Sequence, residues 1–183
     1  MAAVETQRLS RDDWLKAAFD MCEGSIERIK VAPLAKQIGV TTGSFYWHFR
    51  NRGELLDALL AYWEKETTDS IIQFYTHDES EPLERIYNLL ELTHVNEFGS
   101  YELAVRLWAQ TDDKVRDVYA RTVAKRLDFA ADLFRDAGFS DEQATLRGYM
   151  LIAYTAGEAA QVPGPLRRGK EGLREKFEIL TKP

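Results

Sequence analysis

The sequence predicts an all-α protein with about nine helices. Two observations carry that expectation. Apolar residues recur three and four apart along most of the chain, with no convincing run of apolar and polar alternation. These stretches are preceded by Ser, Thr, Asp or Asn and followed by Gly or Pro, the residues that start and stop helices.

Ser10 can cap the first helix, with Asp13 completing a capping box and Trp14, Leu15, Ala18, Phe19 and Cys22 on one side before Gly24. A second helix fits Val31 to Ile38, because Pro33 falls in the first turn, where amides have no intrahelical acceptor. Gly39 makes a turn, and Thr41 can cap a third helix from Thr42 to Phe49. Asn51 and Glu54 start a fourth, whose stripe is Leu55, Leu56, Leu59, Leu60 and Trp63. After the polar break THDESEP, Leu83, Ile86, Tyr87, Leu90 and His94 mark a fifth, and residues 101–109 a sixth. Thr111 or Asp112 caps a long helix closed by Gly138. Ser140 and Gln143 box another that ends at the PGP of 163–165, and Leu166, Leu173, Phe177 and Leu180 suggest a terminal amphipathic helix.

With 183 residues, 45% of them hydrophobic, the chain is long enough to bury a core in one or two modest domains. Its single cysteine, Cys22, allows no internal disulfide and no thiolate cluster for a metal, so a reducing cytoplasm is the simplest setting. The N-terminus lacks an apolar export segment and no eighteen consecutive residues are apolar, so neither export nor a membrane span is expected.

A net charge of -6 argues against a general nucleic-acid binder, but the acid is unevenly spread. From Arg28 to Arg52 there are five basic residues and no Asp or Glu, which makes a locally basic stretch on an acidic body. Within it, helices two and three are joined by a tight glycine turn. The small Ala35 allows close approach, and Gly39 supplies the positive φ that such a turn requires. Thr41, Thr42 and Ser44 are short hydrogen-bonding side chains beside Gly43, which has none, and that combination suits base edges in a major groove. Phe45 and Phe49, four apart, share the inner face. Tyr46, Trp47 and His48 are left toward the rim, where each can donate to phosphate oxygens. Lys30, Arg50 and Arg52 complete the candidate DNA contacts.

This stretch resembles the TetR-type family of transcriptional regulators, through Leu34, Ala35, Gly39, Val40, Gly43, Ser44, Phe45, Tyr46, His48 and Phe49, then Asn51, Glu54, Leu55 and Leu56. The resemblance is strong over roughly residues 10–60 and thin afterwards, as expected where members share a reading head and differ in the body. It implies that Thr42, Gly43, Ser44, Tyr46, Trp47 and His48 contact DNA, with Tyr46 and His48 on phosphates. Lys30 stands where the family usually has a capping Ser or Thr. The resemblance also implies a helix-turn-helix DNA-binding domain over residues 1–55 and a helical effector-binding and dimerisation domain over 56–183. The long helices near 113–137 and 141–161 would form the homodimer interface, supported by Ala144, Gly148, Ala153, Ala156, Gly157 and Ala160.

An unidentified small-molecule effector is expected in the body, where aromatics exceed what a bare core needs. The candidates are Trp63, Tyr87, Tyr101, Trp108, Tyr119 and Tyr154, with Arg106, His94 or Asn96 as polar anchors. No cofactor, metal or catalytic constellation is expected: His48, His77 and His94 have no metal-like spacing. The GPLRRGKE of 164–171 fails as a phosphate loop, because Glu171 replaces the magnesium-binding hydroxyl and no strand precedes it. The reading is a cytoplasmic, dimeric, effector-responsive regulator, a repressor on a palindromic operator. The alternative is a helical ligand-binding or protein-interaction module that no longer reads DNA.

Overall fold

The computed structural model describes residues 9–22, 24–95, 99–159 and 170–182, and among them there are helices and no strands. In chain order the α-helices are α1 (Arg11–Cys22), α2 (Val31–Gln37), α3 (Thr42–Phe45), α4 (Arg52–Glu64), α5 (Ser70–Thr76), α6 (Pro82–Val95), α7 (Gly99–Trp108), α8 (Asp113–Asp136), α9 (Asp141–Ala159) and α10 (Lys170–Thr181). The expected fourth helix is longer than its leucine stripe indicated. A π turn, Lys65–Asp69, carries α4 directly into α5. The expected PGP stop and Leu166 lie outside the described residues.

The starts are held by the side chains that the sequence offered. The Ser10 amide donates to Asp13 Oδ2 at 2.7 Å while the Asp13 amide donates back to Ser10 Oγ at 3.2 Å, a reciprocal capping box. Asn51 Oδ1 accepts from the Glu54 amide at 3.0 Å, Asp112 Oδ1 from Val115, and Ser140 Oγ from Gln143. Thr41 occupies the cap position of α3, but its side chain makes no capping bond. At the other end of α2, Gly39 has φ 72°. Its amide bonds to Lys36 and that of Val40 reaches back to Ala35, the Schellman closure that a side chain would strain.

Two cores form. The first joins α1, α2, the reading segment and α4 to Ala104 and Val105 of α7, Ala109 just after it and Val115 of α8, with Trp14, Phe45, Phe49, Leu55 and Trp63 nearly or wholly buried. The second joins α5, α6, α8, α9 and α10 around Ile86, Leu90, Phe134 and Leu151. Helices α8 and α9 pack along their length. A Cβ on Gly148 would lie 2.8 Å from the Ala131 backbone nitrogen, so this glycine and the buried Ala144 serve contact within the chain. Ala153 is exposed, and a Cβ on Gly157 would meet nothing. The small-residue set therefore divides, and Ala160 lies outside the described residues. Arg147 fastens α10 to α9 by donating to the Leu180 and Lys182 carbonyls across the face of Phe139.

Candidate nucleic-acid interface

The reading segment is short because its helical hydrogen bonds tighten early. Regular α-helix ends at Phe45. The Trp47 amide then reaches Ser44, and the His48 and Phe49 amides both reach Phe45. This differs from the expected Thr42 to Phe49 helix. The tighter winding still puts Phe45 and Phe49 inside, their rings stacked 5.4 Å apart, with Trp14 edge-on to Phe45 from α1. These three rings fix the segment from beneath.

Above them the polar tip faces outward. Thr41, Thr42 and Gly43 are exposed and Ser44 is half-buried. Tyr46 is 63% exposed and Trp47 79%, whereas His48 is half-buried with its ring 6.4 Å from that of Trp14. Trp47 is the open one among the four tryptophans, since Trp14 and Trp63 are buried and Trp108 is half-buried.

The basic candidates do not all share that surface. Lys30 is exposed at the start of α2. Arg50 projects outward, its Nε 3.0 Å from Glu54 Oε2, and the same oxygen accepts from the Arg50 amide at 2.9 Å. Those bonds, ahead of a small opposing effect of burial, hold the Glu54 carboxyl below the usual carboxylate range. Arg52 instead turns inward. Its Nε donates to the Ile29 carbonyl at 2.6 Å and its Nη2 to that of Ile26 at 2.8 Å, which ties the start of α4 to the short 3₁₀ turn before α2. Arg11, not singled out from sequence, lies 4.8 Å over the Phe49 ring and 3.6 Å from Glu54. Nothing local to Arg11 signals this, since its partners are about forty residues away in the chain.

The effector candidates are dispersed. Trp63 stacks on Tyr119 at 5.9 Å and donates to Glu102 at 3.3 Å. Tyr101 stacks on Phe19 at 3.9 Å and donates to Asp20, and Trp108 packs half-buried against the same first core. Tyr87 meets Phe177 in the second core, Tyr154 lies under Lys176, and Arg106 is exposed. The side chain of His94, and Asn96, lie outside the described residues. Burial holds the Cys22 thiol up at about 11, which leaves it unreactive.

Residues 15–59 match the family of bacterial regulatory proteins described as tetR family. By that match, the head of the chain is TetR-type. The chain is 36% identical across 84 residues to the nucleoid occlusion factor SlmA of Aliivibrio fischeri, an alignment covering 45% of this chain and 42% of that protein. A SlmA of Vibrio cholerae is 30% identical over the same length. The chain thus spans less than half the length of the curated relatives it matches. The whole TetR-type fold is shared with a transcriptional regulator from Rhodococcus sp. Rha1, at TM-score 0.70 and 18% identity over 94% of both chains. It is shared too with AibR, solved with isovaleryl coenzyme A and operator DNA, at TM-score 0.64 and 16% identity over 94% of this chain and 97% of that one.

Proposed function

We propose that this protein is a sequence-specific DNA-binding transcriptional regulator, a cytoplasmic repressor that acts as a homodimer and is released from a palindromic operator by a small molecule. The reading segment carries the proposal. Its polar tip and two aromatics are exposed while Phe45 and Phe49 are buried beneath them. An interaction module with no use for DNA has no need of this arrangement within an acid-free window.

Dimerisation is supported by α9, which leaves Leu146, Tyr149 and Met150 exposed at 60%, 59% and 44%, with Ala153 on the same stripe. An apolar stripe on one of the longest helices suits a two-fold partner. Two reading segments about 34–36 Å apart would then meet successive major grooves. Neither enzymatic chemistry nor a cofactor enters this reading. Within the described residues no three His, Cys, Asp or Glu group as a metal site, and no helix is long and apolar enough to cross a membrane.

A salt titration of binding to the DNA upstream of its own gene tests the reading. Preference for that DNA over random duplex, with affinity falling steeply as salt rises, is expected. Equal, weak binding to both would instead favour the module that no longer reads DNA.

A further inference from the structure

The joint between α4 and α5 departs from α geometry, and the residues that hold it there come from elsewhere. A π turn interrupts the ordinary hydrogen-bond ladder, so it persists where tertiary contacts favour it. Here the contacts converge on Arg126 of α8. Its Nε donates to Thr68 Oγ1 at 2.8 Å and its Nη2 to Thr67 Oγ1 at 2.9 Å, both hydroxyls lying within the π turn. Its Nη1 donates to Glu102 Oε2 of α7 at 3.0 Å, and the guanidinium lies 5.2 Å over Trp63 of α4. Trp63 Nε1 donates to that same Glu102 oxygen, and the Thr67 hydroxyl donates to the Trp63 carbonyl at 2.7 Å.

Burial sets this group apart from the ion pairs around it. The Arg126 and Glu102 side chains are only 17% and 12% exposed, and Thr68 is 1% exposed. The neighbouring Lys125–Asp69 and Arg121–Glu64 pairs each include at least one open partner, where water screens the attraction. A half-made buried set is costly, so the Arg126 group is either complete or broken, with few states between. Thr67 and Thr68 are neighbours in the π turn, and both of their hydroxyls accept from this one guanidinium.

We propose that Arg126 is a positioning residue for DNA binding: by holding the joint in its π form it sets the angle at which α4 carries the reading head relative to α8. The proposal rests on the DNA-binding reading above. When the fork to Thr67 and Thr68 is lost, the joint rewinds toward α geometry and the head turns against the body. Glu102 places α7 in the same group, so a change at α7 reaches the head through Arg126.

The test separates position from binding. Spin labels at Gln37→Cys in α2 and Asp128→Cys in α8, both exposed sites, report the head-to-body distance within one chain diluted among unlabelled copies. The buried Cys22 stays in place. Thr68→Val keeps the volume and loses the hydroxyl. It is expected to shift this distance and to weaken binding to the upstream DNA roughly tenfold, with Arg126→Gln doing the same and Thr68→Ser matching the parent. An unchanged distance in folded Thr68→Val overturns the clamp, and a shifted distance with unchanged affinity overturns its role in DNA binding. If the parent shows no preference for its upstream DNA, the DNA-binding reading has failed and the positioning role falls with it, while the distance still decides whether Arg126 holds the joint.

Discussion

Three tiers of residue sit within nine positions of the reading segment, and each makes a different demand. Tyr46 lies open at the rim, so under the proposed function Tyr46→Phe removes a phosphate donor; it is expected to weaken binding to all duplexes alike, by ~1 kcal/mol. Ser44→Ala or Thr42→Ala, at the tip, changes preference among operator variants, with ~1–3 kcal/mol between best and worst base. A competition assay over a panel of single-base operator variants reads both, and a Tyr46→Phe protein with altered preference would contradict this division. Arg52 makes the opposite prediction from its place in the basic window. Because it holds the Ile26 and Ile29 carbonyls, Arg52→Met should lower stability by ~1–3 kcal/mol in thermal unfolding yet leave the salt dependence of DNA binding nearly unchanged. The sequence displayed the charge of Arg52 but not its direction, since the carbonyls it meets belong to a turn more than twenty residues earlier. The outward Tyr46 and Trp47 and the inward pair were legible because they depend only on helical spacing, which survives even though the α-helix stops at Phe45, whereas the half-buried place of His48 beside Trp14 depends on packing against α1.

Among the helices, the caps at Ser10, Asn51, Asp112 and Ser140 were readable because a cap is a local bargain between a side chain and an amide three residues on. The π turn was not, because it is held by a partner on α8, nearly sixty residues away. The effector candidates suffered similarly: aromatic content is visible in sequence, but its division between two cores and a cation contact is a property of packing. Along the α4–α8 seam, Glu64 accepts from Lys125 at 3.0 Å and lies 3.4 Å from Arg121. Burial pushes its carboxyl upward, but the hydrogen bonds from Lys125 and Arg121 outweigh burial and hold it below the usual glutamate range. A carboxylate whose folded pKa is depressed contributes stability above its unfolded pKa, near about 4.3, and loses it as pH falls through the lower folded value. Glu64→Gln should therefore flatten the loss of stability below about pH 4.3, measured as melting temperature against pH. An equally steep acid limb in the variant would show the seam contributes little. In the same layer, Gly148→Ala is expected to cost ~1–3 kcal/mol, since the new methyl meets the α8 backbone rather than a side chain that can move aside.

At the scale of the whole molecule, the open stripe of α9 predicts the assembly. Met150→Glu places a charge among Leu146, Tyr149 and Ala153, and sedimentation at micromolar concentration should find the parent a dimer and the variant shifted toward monomer. Binding to a two-half-site operator should fall with it far more than binding to an isolated half-site. A parent already monomeric would remove the paired-head geometry. One further consequence follows from the first core, which does not stop at the head. Ala104, Val105, Ala109 and Val115 close the floor beneath α1 and α4, and Tyr101 stacks on Phe19. Anyone transplanting this reading head onto the body of another regulator to retune a genetic circuit would be cutting through a packed seam. The portable unit is the first four helices together with the end of α7 and the first turn of α8, and chimaeras joined anywhere nearer the N-terminus should express as poorly folded protein.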